Sequence, residues 1–303
     1  MAQASGSRFG ILALVLASVL WGTTGTAASF LPDAVSPIAI GASTMTVGGL
    51  LLFVFSARAS VATLRDPRAR KWLALGVIGV FVYPLAFYTA MDEAGVAVGN
   101  VVALGSGPIF AAILEWVWER HRLSIRWALC AGVAIVGVIL LSTGRIADEA
   151  SGKSVSLGVA LGLLAGLAYA LYTYASTRVF DLGHSSRGVM GGMFGLGAVL
   201  LAPVLIATAA PLLQRGDSIA IAAYLAIGPM FIAYLLFGFG LRSIRSSVAT
   251  TVTLIEPVVA AALAIIVVGE QLRWSGWIGL ALILVGVTLL VSARQPEKPS
   301  SAA

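Results

Sequence analysis

One carboxylate sits near the middle of a long apolar run: Glu256, in the stretch Ser247 to Val268, immediately before Pro257. A charge at the centre of a bilayer costs about 2.5–3.5 kcal/mol or more, so one that persists there faces a cavity or a partner. An ionised carboxylate offers acceptors and no donor, which suits an ammonium group or a proton. Pro257 lacks an N–H and clashes with the carbonyl four residues back, which predicts a freed Thr253 carbonyl close to the carboxylate. Two readings of Glu256 stay open. It recognises an ammonium or a proton, or it is a structural group tied off by freed backbone and by hydroxyls such as Thr250 and Thr253. Glu115 lies nearer the end of its run, beside Trp116 and Trp118, and reads as an interfacial anchor.

Aromatic residues give the second set. Trp and Tyr favour the membrane interfaces, yet Trp21, Tyr83, Tyr169 and Tyr234 lie mid-run. Helical spacing adds Phe87 and Met91 to Tyr83, and Tyr172 and Ser176 to Tyr169. Together they predict a hollow lined by indole and phenol, with hydroxyls for hydrogen bonding; plain ring packing between helices is the competing reading. No apolar run carries an internal Lys or Arg, whereas a carrier of phosphates would meet its anion with fixed positive charge. The expected cargo is therefore neutral, zwitterionic or cationic. The candidate substrate-binding residues are Trp21, Tyr83, Phe87, Tyr169, Tyr172, Tyr234 and Glu256. No catalytic group, cofactor or metal is expected. The single Cys130 has no His nearby in sequence, and His121 and His184 fall in connecting segments where a solvated role is the default. Gly152-Lys153-Ser154 echoes a phosphate-binding loop, but Ala147 replaces the required first glycine, which removes a nucleotide-driven pump from consideration.

The elements that must position these residues are membrane spans. The chain is 59% hydrophobic and only 11% charged, with a mean hydropathy of +0.99, where a soluble domain carries roughly 25% charge. Apolar runs recur at Phe9–Phe30, Ile38–Ala57, Trp72–Met91, Val96–Trp118, Trp127–Thr143, Leu157–Val179, Gly188–Leu212, Ile219–Leu241, Ser247–Val268 and Gly276–Ser292. Each is near the ~20 residues that cross a hydrocarbon core as a helix. The predicted class is an all-α membrane protein of ten transmembrane helices. A net charge of +6 could suggest nucleic acid, but placement explains it. The basic residues crowd into the segments at Arg8, Arg58–Lys71, Arg120–Arg126, Arg178–Arg187, Arg242–Arg245 and Arg294–Lys298, leaving only Arg145, Lys153, Arg215 and Arg273 for the other side. By the positive-inside rule both termini are cytoplasmic. The implied partners are a small-molecule substrate and the lipid bilayer, with no nucleic acid; a monomer is compatible with the sequence, which does not set the oligomeric state.

The runs also repeat. Sliding Thr253–Leu290 back by 149 positions puts Pro257 on Pro108, Leu272 on Leu123 and Val285-Gly286-Val287 on Val136-Gly137-Val138. An offset of 148 puts Gly158 on Gly10 and Tyr169 on Trp21, so the first run has a mid-chain twin and reads as a helix and not as a cleaved signal peptide. Two halves follow, 1–148 and 149–303, the second ending in a short tail, Gln295–Ala303, that reads as disordered. With five spans in each, an odd number, the second half enters from the opposite face, making the repeat inverted, and inverted repeats are a recurrent transporter construction with the site near the midplane. The glycines Gly95, Gly99, Gly105 and Gly107, and Gly188 to Gly197, allow close helix approach; static packing is the first reading and sliding during transport the second.

Trp21-Gly22, Glu256-Pro257, Gly269-Glu270-Gln271-Leu272 and Gly286-Val287-Thr288-Leu289-Leu290, set in two halves of five spans, resemble the EamA-type branch of the drug/metabolite transporter superfamily. The resemblance covers Arg8 to about Arg294. It implies a ten-helix carrier with an inverted repeat in a bacterial inner membrane, and export of metabolites, with the neutral and aromatic amino-acid exporters looking most similar. Exporters of hydrophobic drugs or of other neutral or cationic metabolites are the rival, and a non-transporting scaffold stands behind both. The first half departs from the pattern, with Gly107 opposite Glu256 and His121 opposite Glu270, which argues against a scheme of paired carboxylates.

Overall fold

The computed structural model describes residues 2–94, 96–120, 124–143, 154–269 and 271–292. Ten helices in it are long and apolar enough to cross a membrane: Arg8–Ala28, Pro37–Phe55, Arg70–Ala94, Val98–Glu119, Ile125–Thr143, Val155–Phe180, Ser186–Thr208, Gly216–Leu241, Ser246–Val267 and Trp274–Ser292. They are called spans one to ten below. Capping fixes several starts: the hydroxyls of Ser36, Ser154 and Ser185 each accept the backbone N–H three residues on, satisfying donors that a helix start leaves over. Large side chains such as Ile206 and Ile266, about four-fifths exposed, point outward, as hydrocarbon surroundings permit.

Span three packs against span six, and span four against span six; span one packs against spans eight and nine; span two pairs with seven and span five with ten. Exchanging each span with the one five places away leaves this scheme unchanged. The close contacts follow the same exchange. A Cβ on Gly137 would overlap Gly279 and Ile283, and one on Gly286 would overlap Cys130 and Ala134, which are the same contacts displaced by 149. Residue numbers fall along span ten as they rise along span five, so these two helices run antiparallel. Spans two and seven do likewise, with Gly49 closed on Phe194 and Ala198 and Gly191 on the Leu52 carbonyl. These glycines let the facing helices approach closely.

Between spans two and three lies a short amphipathic helix, Ala57–Arg65, which apolar periodicity missed because its one apolar face is small. It carries the partner of His184. The His184 Nε2 lies 2.9 Å from Asp66 Oδ2, and its Nδ1 lies 3.2 Å from Thr63 Oγ1. His184 is therefore not a solvated loop residue; it clips one connecting segment to another. Hydrogen bonds from the Arg68 guanidinium and backbone N–H, and then from His184, hold Asp66 well below the usual carboxylate range. Because the folded value is depressed, the stabilisation is complete above that range and fades only as pH falls below it. His121, Glu270, Gly95, Gly152, Lys153 and the tail Gln295–Ala303 lie outside the described residues.

Candidate functional site

Two proline-bearing spans bend around the centre. In span eight, Pro229 sits in a π-helical stretch, Ala226–Ile232, where the missing N–H is absorbed by a wider turn. In span nine, Thr253–Ile255 tightens to a 3-10 turn and the helix restarts at Glu256-Pro257. That tightening overturns one expectation. The Thr253 carbonyl is not free, since it accepts the backbone N–H of Glu256 itself. Nor do neighbouring hydroxyls tie off the carboxylate. Thr250 donates to the carbonyls of Ser246 and Ser247, and Thr253 Oγ1 bonds the Thr250 carbonyl and, at 2.8 Å, the Tyr169 hydroxyl. Among the described residues, no hydrogen bond or opposite charge reaches the Glu256 carboxylate.

It faces a cavity of about 90 Å³, which at ~10–15 Å³ per water leaves room for several waters. All seven residues singled out above line this one space: Trp21, Tyr83, Phe87, Tyr169, Tyr172, Tyr234 and Glu256. Their rings form a continuous wall. Trp21 lies 5.1 Å from Tyr234, Tyr83 stacks on Phe87 at 5.4 Å, and Tyr83 meets Tyr169 at 5.9 Å. Ser176 and Met91 are outside it. Ser176 is buried and donates to the Tyr172 carbonyl at 2.7 Å, and Met91 lies beyond the lining.

Sequence reasoning missed the wall supplied by span two, Gly41, Thr44 and Met45, together with Thr24, Tyr88, Leu104, Pro229 and Met230. Span two has no aromatic residue near its middle, so a search for misplaced rings passed over it. The available signal was Gly41: a Cβ there would overlap the Tyr88 ring, so only glycine lets that phenol lie flat on span two. Gly107 does the same for Tyr169, whose ring is 3.0 Å from where its Cβ would stand. The position that corresponds to Glu256 in the first half is thus occupied by a phenol leaning over a glycine, and the cavity holds one carboxylate. Among the described residues, no Lys, Arg or His lines it.

One end of the cavity is closed in layers. Tyr172 and Tyr234 share a hydrogen bond of 2.9 Å between spans six and eight, and Tyr169 joins Thr253 between spans six and nine. Farther out, Glu115 is 2% exposed and accepts from Ser246 Oγ, Ser247 N and Ser247 Oγ at 2.7–2.8 Å. It is therefore not an interfacial anchor: from span four it caps the start of span nine. One turn on, Glu119 receives Arg245 at 3.1 Å and Arg178 at 3.4 Å.

The EamA-like transporter family matches residues 8–143 and again 156–292. The chain belongs to that family. An uncharacterized transporter of Bacillus subtilis, YwfM, is 30% identical over 296 residues, covering 96% of this chain and 97% of its own. The uncharacterized inner membrane transporter YicL of Salmonella typhimurium is 24% identical, over 94% and 95% of the two chains. One solved crystal structure superposes with a TM-score of 0.76 across 94% of this chain and 96% of its own, at 22% identity, which shows a shared fold. This EamA-like chain is a multi-pass membrane protein of a transporter family.

Proposed function

We propose that the protein is a secondary transporter that exports neutral or aromatic amino acids and similar small metabolites by alternating access through the central cavity, with both termini cytoplasmic. The observation that carries this reading is the unpartnered Glu256 carboxylate in a wall of rings without a basic residue. A buried charge left without a protein partner is expensive. An ammonium group or a proton supplies the missing partner, and the rings receive an apolar or aromatic side chain. Trp21, Tyr83, Phe87, Tyr169, Tyr172, Tyr234 and Glu256 are the proposed substrate contacts. The halves, 1–148 and 149–303, form the inverted repeat.

Alternating access is supported by where the closure sits. The contacts Tyr172–Tyr234, Tyr169–Thr253 and Glu119–Arg245 all cross between the group of spans three, four and six and the group of spans one, eight and nine. They lie between the cavity and the segments rich in Lys and Arg. Rocking one group against the other breaks these contacts and opens the cavity to that side. The experiment is counterflow in proteoliposomes made with the pure protein: labelled phenylalanine, leucine or alanine should accumulate against an internal pool of the same amino acid. Accumulation of a hydrophobic cation with no amino-acid exchange would instead favour the drug-export reading, which the same carboxylate and rings would serve.

A further inference from the structure

Four residues of the cavity wall carry hydroxyls that no hydrogen bond among the described residues reaches: Thr24, Thr44, Tyr83 and Tyr88. Thr44 is 9% exposed, lines the cavity, and its Oγ1 is buried without a hydrogen-bond partner. Tyr83 and Tyr88 also line it, and no hydrogen bond among the described residues reaches either hydroxyl. The remaining lining phenols are spent, Tyr169 on Thr253 and Tyr172 on Tyr234. Thr44 and Tyr88 fall on one wall, whereas Thr24 stands on span one and the Tyr83 ring lies against Phe87, Tyr169 and Tyr172. Gly41 and Thr44 are three residues apart and so share a face of span two, and the Tyr88 ring lies against Gly41. Glu256 belongs to a different wall, where span nine packs on span one through Gly22, whose Cβ would stand 3.0 Å from the Glu256 carbonyl.

We infer that this second wall, through Thr44 and Tyr88, receives the carboxylate of a zwitterionic cargo whose ammonium group faces Glu256. The inference rests on the amino-acid reading above and adds to it the residues that distinguish an amino acid from a plain amine. A buried hydroxyl with no partner is costly and is kept where a ligand or water completes it. Each hydroxyl has one O–H to donate, and an O–H donated to a carboxylate is a short, charge-assisted bond. Among the described residues, no guanidinium or ammonium lines the cavity to meet a carboxylate, so neutral donors are the means they offer.

The test uses the full chain in proteoliposomes, with labelled L-phenylalanine counterflow competed by unlabelled L-phenylalanine or by 2-phenylethylamine, which keeps the ring and the ammonium and lacks the carboxylate. Thr44→Val keeps the shape of the side chain and removes the hydroxyl; Tyr88→Phe does the same for the phenol. Loss of one bond to a charged acceptor should raise the half-inhibitory concentration of phenylalanine by roughly ten-fold or more, leave that of phenylethylamine within about two-fold, and be largely restored in Thr44→Ser. Equal weakening of both compounds, or no change in either variant with thermal stability preserved, overturns the inference. Wild-type protein that exchanges neither compound overturns the amino-acid reading itself. Wild-type protein that exchanges both, with variants indifferent to the carboxylate, overturns only the assignment of this wall and leaves the hydroxyls to water.

Discussion

Glu256 and Glu115 are both carboxylates within apolar spans, and their surroundings divide the labour between them. Glu115 is saturated by two hydroxyls and a backbone N–H at the start of span nine; Glu256 has none of these. Replacing Glu115 with Ala strands three donors in a buried site, at a cost of about 1–3 kcal/mol, and should lower the melting temperature in detergent by several degrees. Glu256→Gln keeps size and part of the hydrogen bonding while removing the charge. It should cut amino-acid exchange by ten-fold or more, or flatten its pH dependence, at unchanged melting temperature. The reverse pattern, lost stability with normal exchange per folded molecule, would return Glu256 to a structural role. Which carboxylate was which could not be read from sequence, because both lie beside apolar neighbours and the partners of Glu115 are 131 and 132 residues away.

Span nine shows how far local reasoning carries at the scale of an element. Pro257 correctly marks a break, but a missing N–H can be absorbed by freeing a carbonyl or by tightening the preceding turn, and the sequence does not choose between them. Here the turn tightens and Thr253 keeps its bond. The ten spans were legible because the hydrocarbon imposes a length on every one of them; the Ala57–Arg65 helix was not, since it answers to no such constraint. The ring wall was legible because Trp and Tyr at midplane break an interfacial habit. The hydroxyl wall was not, because Thr44 differs little from any other small residue until Tyr88 is seen lying on Gly41. Paired glycines offer a test of the symmetry. Gly137→Val and Gly286→Val each force a side chain into backbone of the facing span, and overpacking of this kind costs about 1–3 kcal/mol. The two should lower stability by similar amounts. A large cost for one and none for the other would break the equivalence of spans five and ten.

At the scale of the whole molecule the closure at one end is built from charge as well as from rings. Glu115, Glu119, Arg178 and Arg245 gather between the cavity and the basic segments. If the basic segments are cytoplasmic, this conformation is shut toward the cytoplasm, and Arg58→Cys should react with an impermeant maleimide only from that side, while Arg215→Cys reacts only from the other. Both sites are exposed, and the native Cys130 is buried and should contribute little background. On the export reading proposed above, loading requires the shut side to open, so Glu119 parts from Arg245 in each cycle. Replacing both with cysteine and joining them with a short bifunctional thiol reagent that is cleaved by reduction should abolish counterflow, and reductant should restore it; each single cysteine treated the same way should retain exchange. Cross-linked protein that still exchanges at the normal rate would mean that the two groups of spans do not separate at this end, and that cargo leaves and enters by a route that keeps Glu119 and Arg245 together.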